Sequence, residues 1–340
     1  MSDQPLVTVI MPIRNEGRYI EQSLSSVLAQ DYPSHCMEIL VVDGMSADRT
    51  REILARFPVR VLDNPARIVS TALNIGLEHA RGDVVIRVDG HCEIGPSYVR
   101  RCVKVLQETG ADCVGGAIVT VGDTWIARAI AAARGSPWGV GTVAFRTGRA
   151  HPGYVDTVAF GAYRREVFRR IGEFDEKLTR HQDYELNLRL RQSGGKIYYT
   201  PEIKVRYYSR GTLPKLARQY FQYGFWKWHV TRENPQAFTW RHLAPSSLAL
   251  TLVLGALLSI VFSWARSPYG LVWLLYGATV VAASVHVSAR RGWRNLPILP
   301  LTLVTIHLSW GLGFWWGVIR RSHSGTPQGP TQLSGKSSPN

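Results

Sequence analysis

Residues 243–265, 267–289 and 295–319 run for 23, 23 and 25 residues without one charged side chain. At a helical rise of about 1.5 Å per residue, each run is longer than the ~30 Å hydrocarbon core of a bilayer. A chain crossing lipid must satisfy its backbone N–H and C=O groups internally, so such a run crosses as a helix. The runs are rich in Trp and lack acids, which favours membrane helices over a soluble hydrophobic hairpin. Two to three transmembrane helices are therefore expected over 243–319. The basic loop Arg290-Arg291-Gly292-Trp293-Arg294 should stay on the cytoplasmic side with the amino-terminal part of the chain. Three full crossings would then put Arg320-Arg321 outside, against the same rule, so the third run is either a span or a re-entrant or interfacial helix.

Charge narrows the function classes. The formal charge is +15, and residues 161–241 alone hold 17 Lys/Arg against 8 Asp/Glu. No Asp or Glu follows Glu233, so chemistry that needs a carboxylate lies upstream of it. Such basicity suits nucleic acid, anionic lipid or phosphorylated substrates. Its position beside the membrane runs makes lipid the better anionic partner and argues against nucleic acid. Cys36, Cys92, Cys102 and Cys113 have no metal-ligand spacing and read as free thiols in a reducing compartment. The polar start leading into a strand is unlike a secretory signal peptide. Residues 322–340, rich in Ser, Gly, Pro and Gln, read as a disordered tail.

The amino-terminal part alternates strands and helices. Residues 6–13 are β-rich, and a helix follows with Ile20, Leu24, Val27 and Leu28 on one face. Glu38-Ile39-Leu40-Val41-Val42-Asp43 is a second strand, and Ser46 or Asp48 is the expected N-cap of the next helix. Residues 59–62 form a third strand and 68–80 a helix. Val84-Val85-Ile86-Arg87-Val88 is a fourth strand that ends in Asp89-Gly90-His91. This order predicts an α/β fold with a mainly parallel sheet and ligands at the carboxyl ends of its strands, where Asp43 and Asp89 both fall. No Gly-x-Gly-x-x-Gly or phosphate-loop motif is present, which disfavours dinucleotide and P-loop folds. An Asp and a His two apart across a glycine suit Mg²⁺ or Mn²⁺. Residues 113–121 form one more strand, and the small-residue stretch 127–148 reads as a flexible loop.

In order, the chain carries Pro12-x-x-Asn15-Glu16, Val41-Val42-Asp43-Gly44-x-Ser46-x-Asp48-x-Thr50, Ala72-x-Asn74-x-Gly76 and Val88-Asp89-Gly90-His91. Gly172-Glu173-Phe174-Asp175-Glu176 and Gln182-Asp183 follow. This set resembles family 2 glycosyltransferases with the GT-A nucleotide-sugar-binding fold. Gln219-Tyr220-x-x-Tyr223-Gly224-x-Trp226-Lys227 is similar to exopolysaccharide enzymes of the succinoglycan type. The chain departs from the family by placing His91 where a second Asp is usual and Gln182 where Glu is usual.

The resemblance implies a GT-A domain over 1–230, a basic and aromatic membrane-interface segment over 205–242, and the membrane helices beyond. Asp43 would contact the uracil or ribose of the donor, with Pro12 and Arg14 lining that pocket. Arg67 is a weaker nucleotide candidate, equally readable as a solvated surface residue. Asp89 and His91 would hold the divalent cation near the diphosphate, and Asp183 would be the catalytic base. Arg210, Arg218 and Lys227 would bind diphosphate or a lipid-linked acceptor, or else anchor to lipid headgroups.

The implied function is inverting transfer of a hexose from a nucleotide sugar, a UDP-sugar, to a polyprenyl-linked saccharide at the inner cell membrane. Transfer to polyprenyl phosphate itself is the alternative within this class. Polysaccharide-assembly proteins are the further partners implied, and an inactive nucleotide-sugar-binding scaffold at the membrane is the alternative outside this class.

Overall fold

The computed structural model describes residues 4–148, 151–209 and 211–320. The tail expected over 322–340 and the Arg210 site fall outside them.

The first half is built as expected from β1 (Val7–Ile13), α1 (Ile20–Leu28), β2 (Met37–Asp43), α2 (Thr50–Leu54), β3 (Arg60–Asp63), α3 (Val69–His79) and β4 (Val84–Arg87). β3, β2, β1 and β4 lie side by side and parallel. Every residue of β1 and β4 is buried, the pattern of strands covered on both faces. One face packs on α1 and α2 through Ile20, Leu24, Val27 and Ile53. The other packs on α3 through Ala72, Leu73 and Leu77. Leu28 is exposed, and Ser23 takes the buried turn of α1 instead. Neither Ser46 nor Asp48 caps α2. The cap position is Arg49, which makes no side-chain bond, while Asp48 accepts from the Thr50 and Gly17 amides at 3.1 and 3.0 Å.

Next come β5 (Cys92–Ile94), α4 (Tyr98–Thr109), β6 (Cys113–Val121), α5 (Trp125–Arg134), α6 (Pro137–Val140) and α7 (Ala144–Thr147). β7 (Gly153–Tyr154), β8 (Ala162–Arg164), α8 (Glu166–Ile171), α9 (Gln182–Gln192) and β9 (Ile197–Tyr208) complete the domain. β8 runs antiparallel between β4 and β6, β6 and β9 are parallel, and β5 and β7 pair antiparallel with β9. The parallel half thus continues into a mixed half. The stretch read as a loop over 127–148 is largely helical. Its alanines are strong helix formers, and Thr124 caps α5 by accepting from the Ala127 amide at 3.1 Å.

Four long helices follow: α10 (Leu213–Glu233), α11 (Leu243–Val261), α12 (Arg266–Arg291) and α13 (Leu299–Arg320). Three apolar helices, 240–261, 263–291 and 299–320, are long enough to cross a membrane. α13 lies along α10 at very close range. A Cβ on Gly224 would sit 1.9 Å from the Trp310 carbonyl oxygen, and one on Gly313 2.0 Å from that of Phe221. The start of α13 joins α5 and the end of α12 in one apolar cluster around Ile130, Val287, Leu299 and Leu303. Its later turns meet the first turns of α11, where the Trp315 indole donates to the Ser246 carbonyl at 2.8 Å.

Candidate active site

The motif residues sort into fasteners and residues that face open space. Asn15 sits at φ 53°; its amide donates to Ser46 Oγ and its Oδ1 accepts from the Ala47 amide, both at 2.8 Å. The Glu16 amide donates to Thr50 Oγ1 at 2.8 Å. These bonds stitch the loop after β1 to the loop after β2. Asn74 likewise clamps the turn before α9, donating to the Phe174 carbonyl at 2.9 Å and accepting its amide at 3.0 Å. The two strand-end loops are thereby fixed around one cleft of about 1340 Å³.

Pro12, Arg14, Arg67, Asp89, His91, Asp183 and Lys227 all line this cleft. Asp43 stands behind its wall, fully buried. Its carboxylate accepts from Arg51 Nε and Ser46 Oγ, each at 2.5 Å, and Gly44 presents the adjoining surface to the cleft. Arg218 is exposed on α10 and is not among the lining residues.

At the centre stands Arg87, which the sequence reading passed over as a strand residue. Its Nε and Nη2 donate to the two Asp89 oxygens at 2.8 and 3.2 Å, and its Nη1 donates to Asp183 Oδ1 at 2.6 Å. One nearly buried guanidinium thus holds two carboxylates that lie 94 positions apart. Burial raises the Asp183 carboxyl above the ordinary carboxylate range; Arg87 opposes that shift and Asp89 adds to it. Asp183 occupies the first turn of α9, but the cap position is His181 at φ 64°. His181 is neutral, because burial and then the Lys227 charge lower its pKa to about 3, so its Nε2–H donates to the Tyr223 carbonyl at 2.9 Å. Lys227 has no carboxylate partner among the described residues. Its Nζ lies 3.5 Å from the centre of the Tyr184 ring, and burial followed by Arg241 lowers its pKa to about 7.

His91 bonds Glu16 Oε1 through Nδ1 at 2.8 Å and meets the Tyr207 ring edge-on at 4.9 Å. Burial opposes its charge, but Tyr207, Glu16 and Asp89 prevail and its pKa rises to about 10. Among the described residues no three His, Cys, Asp or Glu side chains group as a metal site. Asp89 and His91 do fit a partial one. Asp89 offers a hard oxygen; His91, protonated while no ion is bound, would take one at Nε2 by releasing that proton, with Glu16 holding Nδ1–H as outer-shell carboxylates do in metal-bound histidines. Mg²⁺-type ions complete such sites with substrate phosphates.

The cleft does not end at the catalytic domain. It continues past Arg146, Tyr220 and Tyr223 to Leu248 of α11, Tyr276 of α12 and Ile306 of α13. The sequence held signals for Lys227 and Tyr223 in the aromatic and basic stretch. It held none for Arg87 or Arg146, whose roles come from strand pairing and loop folding.

Residues 8–172 match the family model for glycosyl transferase family 2. The succinoglycan biosynthesis protein ExoA of Rhizobium meliloti is 33% identical over 316 residues, covering 90% of this chain and 93% of that protein. A dolichyl N-acetyl-alpha-D-glucosaminyl phosphate diacetamido-dideoxy-glucuronosyltransferase of Methanococcus voltae is 25% identical, covering 92% and 97%. Among solved structures, the mannosyltransferase PcManGT of Pyrobaculum calidifontis, determined with GDP-Man and Mn²⁺, aligns with a TM-score of 0.57 at 20% identity. That alignment covers 91% of this chain and 88% of the other.

Proposed function

Because the chain belongs to glycosyl transferase family 2 and has the GT-A fold, we propose that it is a membrane-anchored, inverting hexosyltransferase of exopolysaccharide assembly. The donor is a UDP-sugar and the acceptor a polyprenyl-diphosphate-linked saccharide. The observation that carries this reading is the Asp89–Arg87–Asp183 bridge inside a cleft that runs on into the membrane helices. Two near relatives support the substrate class: one is named for succinoglycan biosynthesis, the other for transfer to a dolichyl-linked phosphosugar.

Transfer is a single displacement. The acceptor hydroxyl oxygen forms the new bond to the anomeric carbon as the bond from that carbon to the donor phosphate breaks. Asp183 takes the hydroxyl proton, and its raised pKa makes it a better base than an ordinary carboxylate. Arg87 holds Asp183 in place and keeps it ionised. Asp89 and His91 would hold a divalent cation, whose charge stabilises the departing diphosphate. Arg14 and Arg67 flank the nucleotide end beside Gly44.

α11 and α12 form a hairpin across the cell membrane with the catalytic domain in the cytoplasm. α13 does not cross. Its start adjoins the 293–295 turn, where the Arg294 carbonyl accepts from the Trp125 indole at 2.8 Å. Its end adjoins Trp228 of α10, so both ends stay on the domain's side. That disposition also removes the conflict with the charge rule at Arg320.

The test is transfer by the purified protein in lipid, with a panel of labelled nucleotide sugars against polyprenyl phosphate and polyprenyl-diphosphate saccharides. Product from a UDP-hexose and a diphosphate-linked saccharide is expected. Donor binding without transfer or donor hydrolysis under all conditions would leave a scaffold instead.

A further inference from the structure

The cleft carries more cation than its own carboxylates can balance. Four carboxylates line it, and each is already engaged: Asp89 and Asp183 by Arg87, Glu16 by His91, and Asp156 by Arg191 and Arg241. At the membrane end, Arg146 lines the cleft, and Arg134 lies just behind it with no exposed surface. Both guanidinium groups sit against the same ring: Cζ of Arg134 is 4.9 Å and Cζ of Arg146 6.0 Å from the centre of Tyr207. Among the described residues neither makes an ion pair. Among the same residues, Nη1 of Arg146 is buried without a hydrogen-bond partner, and the buried guanidinium of Arg134 has only the Tyr207 and Tyr220 hydroxyls to lean on, with no anion among its partners. Burying unpaired charge is costly, and two like charges side by side are worse still. Tyr220, Tyr207 and Tyr223 support the charge of Arg134 against burial, while burial and Arg134 both lower the pKa of Arg146. The arrangement is therefore incomplete without an anion.

We propose that Arg146 and Arg134 form the seat for the phosphate or diphosphate of an isoprenoid-linked acceptor. Guanidinium groups pair with phosphate oxygens through two parallel N–H bonds, a geometry still open to two guanidiniums that have no anionic partner. The source is the acceptor and not the donor, because the same wall runs on into Leu248, Ile306 and Trp310. An isoprenoid leaving the seat meets apolar side chains of α11 and α13 on its way to lipid. The Tyr207 ring touches both Arg134 and His91, so the proposed seat adjoins the donor end of the cleft through one shared ring.

The inference rests on the lipid-linked acceptor reading, and one experiment separates the two. Full-length protein in nanodiscs is titrated with farnesyl diphosphate and, separately, with UDP, for the wild type, R146Q, R146K and R134Q. Farnesyl diphosphate affinity should fall roughly tenfold or more in R146Q and R134Q, and R146K should recover part of it. UDP affinity should stay within about twofold of the wild type. Equal loss for UDP would assign the pair to the donor, and unchanged affinity for both would reduce it to packing; either result overturns the seat. If wild type binds no isoprenoid diphosphate, the acceptor reading itself falls and takes the seat with it. R146Q, on a half-buried helix, carries the test should R134Q not fold.

Discussion

Arg87 Nη1 lies 2.6 Å from Asp183 Oδ1, so the base of the proposed reaction is held by the same side chain that grips Asp89. In the proposed reaction, the donor half and the acceptor half of the cleft therefore share one positive charge. Moving either carboxylate disturbs the other through a rigid, planar group that stays charged throughout the working pH range.

Asp183→Asn separates chemistry from binding. The substitution keeps the shape and removes the base, so transfer should fall by ~10²–10⁴-fold while UDP binding stays nearly normal. Because His181 holds the cap position of α9, loss of a cap cannot account for the result. Isothermal titration of UDP and a transfer assay on one preparation check this; substantial remaining transfer would remove Asp183 from the role of base.

The pH dependence has a definite sign. Asp183 must be ionised to accept a proton, so the rate falls as pH drops through its raised pKa. Arg87 pulls that pKa down, and Asp89 pushes it up. In Arg87→Met the acidic limb should therefore move to higher pH and the maximal rate should drop. A pH–rate profile with its limb unmoved or lower would show that Arg87 does not tune the base.

Metal and nucleotide should be linked through Asp89. Asp89→Asn should weaken UDP binding in Mn²⁺ by about tenfold or more, and stripping wild-type protein with a chelator should mimic it. His91→Ala should raise the Mn²⁺ concentration needed for half-maximal UDP binding with little change in thermal unfolding, while His91→Asp should keep the site. Equal Mn²⁺ dependence in the alanine variant and the wild type would exclude His91 as a ligand.

Sidedness can be read from two single cysteines. Trp293→Cys lies in the turn beside Trp125, and Ile319→Cys lies near the end of α13. In sealed cells both should resist an impermeant thiol reagent and react after permeabilisation. Reaction of Ile319→Cys from outside would make α13 a third span.

Much of this was legible before any fold was known. Asp43 and Asp89 lie at strand ends because each closes an apolar β run, and such runs are visible as residues. The fasteners were only half legible: Asn15, Thr50 and Asn74 stand in recognisable motifs, yet motifs do not say whether a side chain holds a substrate or a loop. Asp43 shows the difference, since its carboxylate is taken up by Arg51 and Ser46. Arg87 was hidden for a physical reason. A charged residue inside a valine-rich strand has no local partner, and its two carboxylates arrive only when β4 ends and α9 docks. The helices over 125–147 were missed because glycine and proline masked an alanine-rich core with a threonine cap.

The glycine contact between α10 and α13 bears on how such proteins can be recombined. Gly224 and Gly313 bring two backbones so close that a methyl group at either place meets a carbonyl oxygen. A valine at either position should destabilise the protein by about 1–3 kcal/mol through overpacking. α10 also carries Tyr220, Tyr223 and Lys227 into the cleft. Anchor and catalyst are thus not interchangeable cassettes, and a chimera joined anywhere between α10 and α13 splits a matched pair. Swaps that preserve function would have to transplant both helices together, and with them the first turns of α11, whose Pro245 carbonyl a Cβ on Gly311 would meet at 2.2 Å.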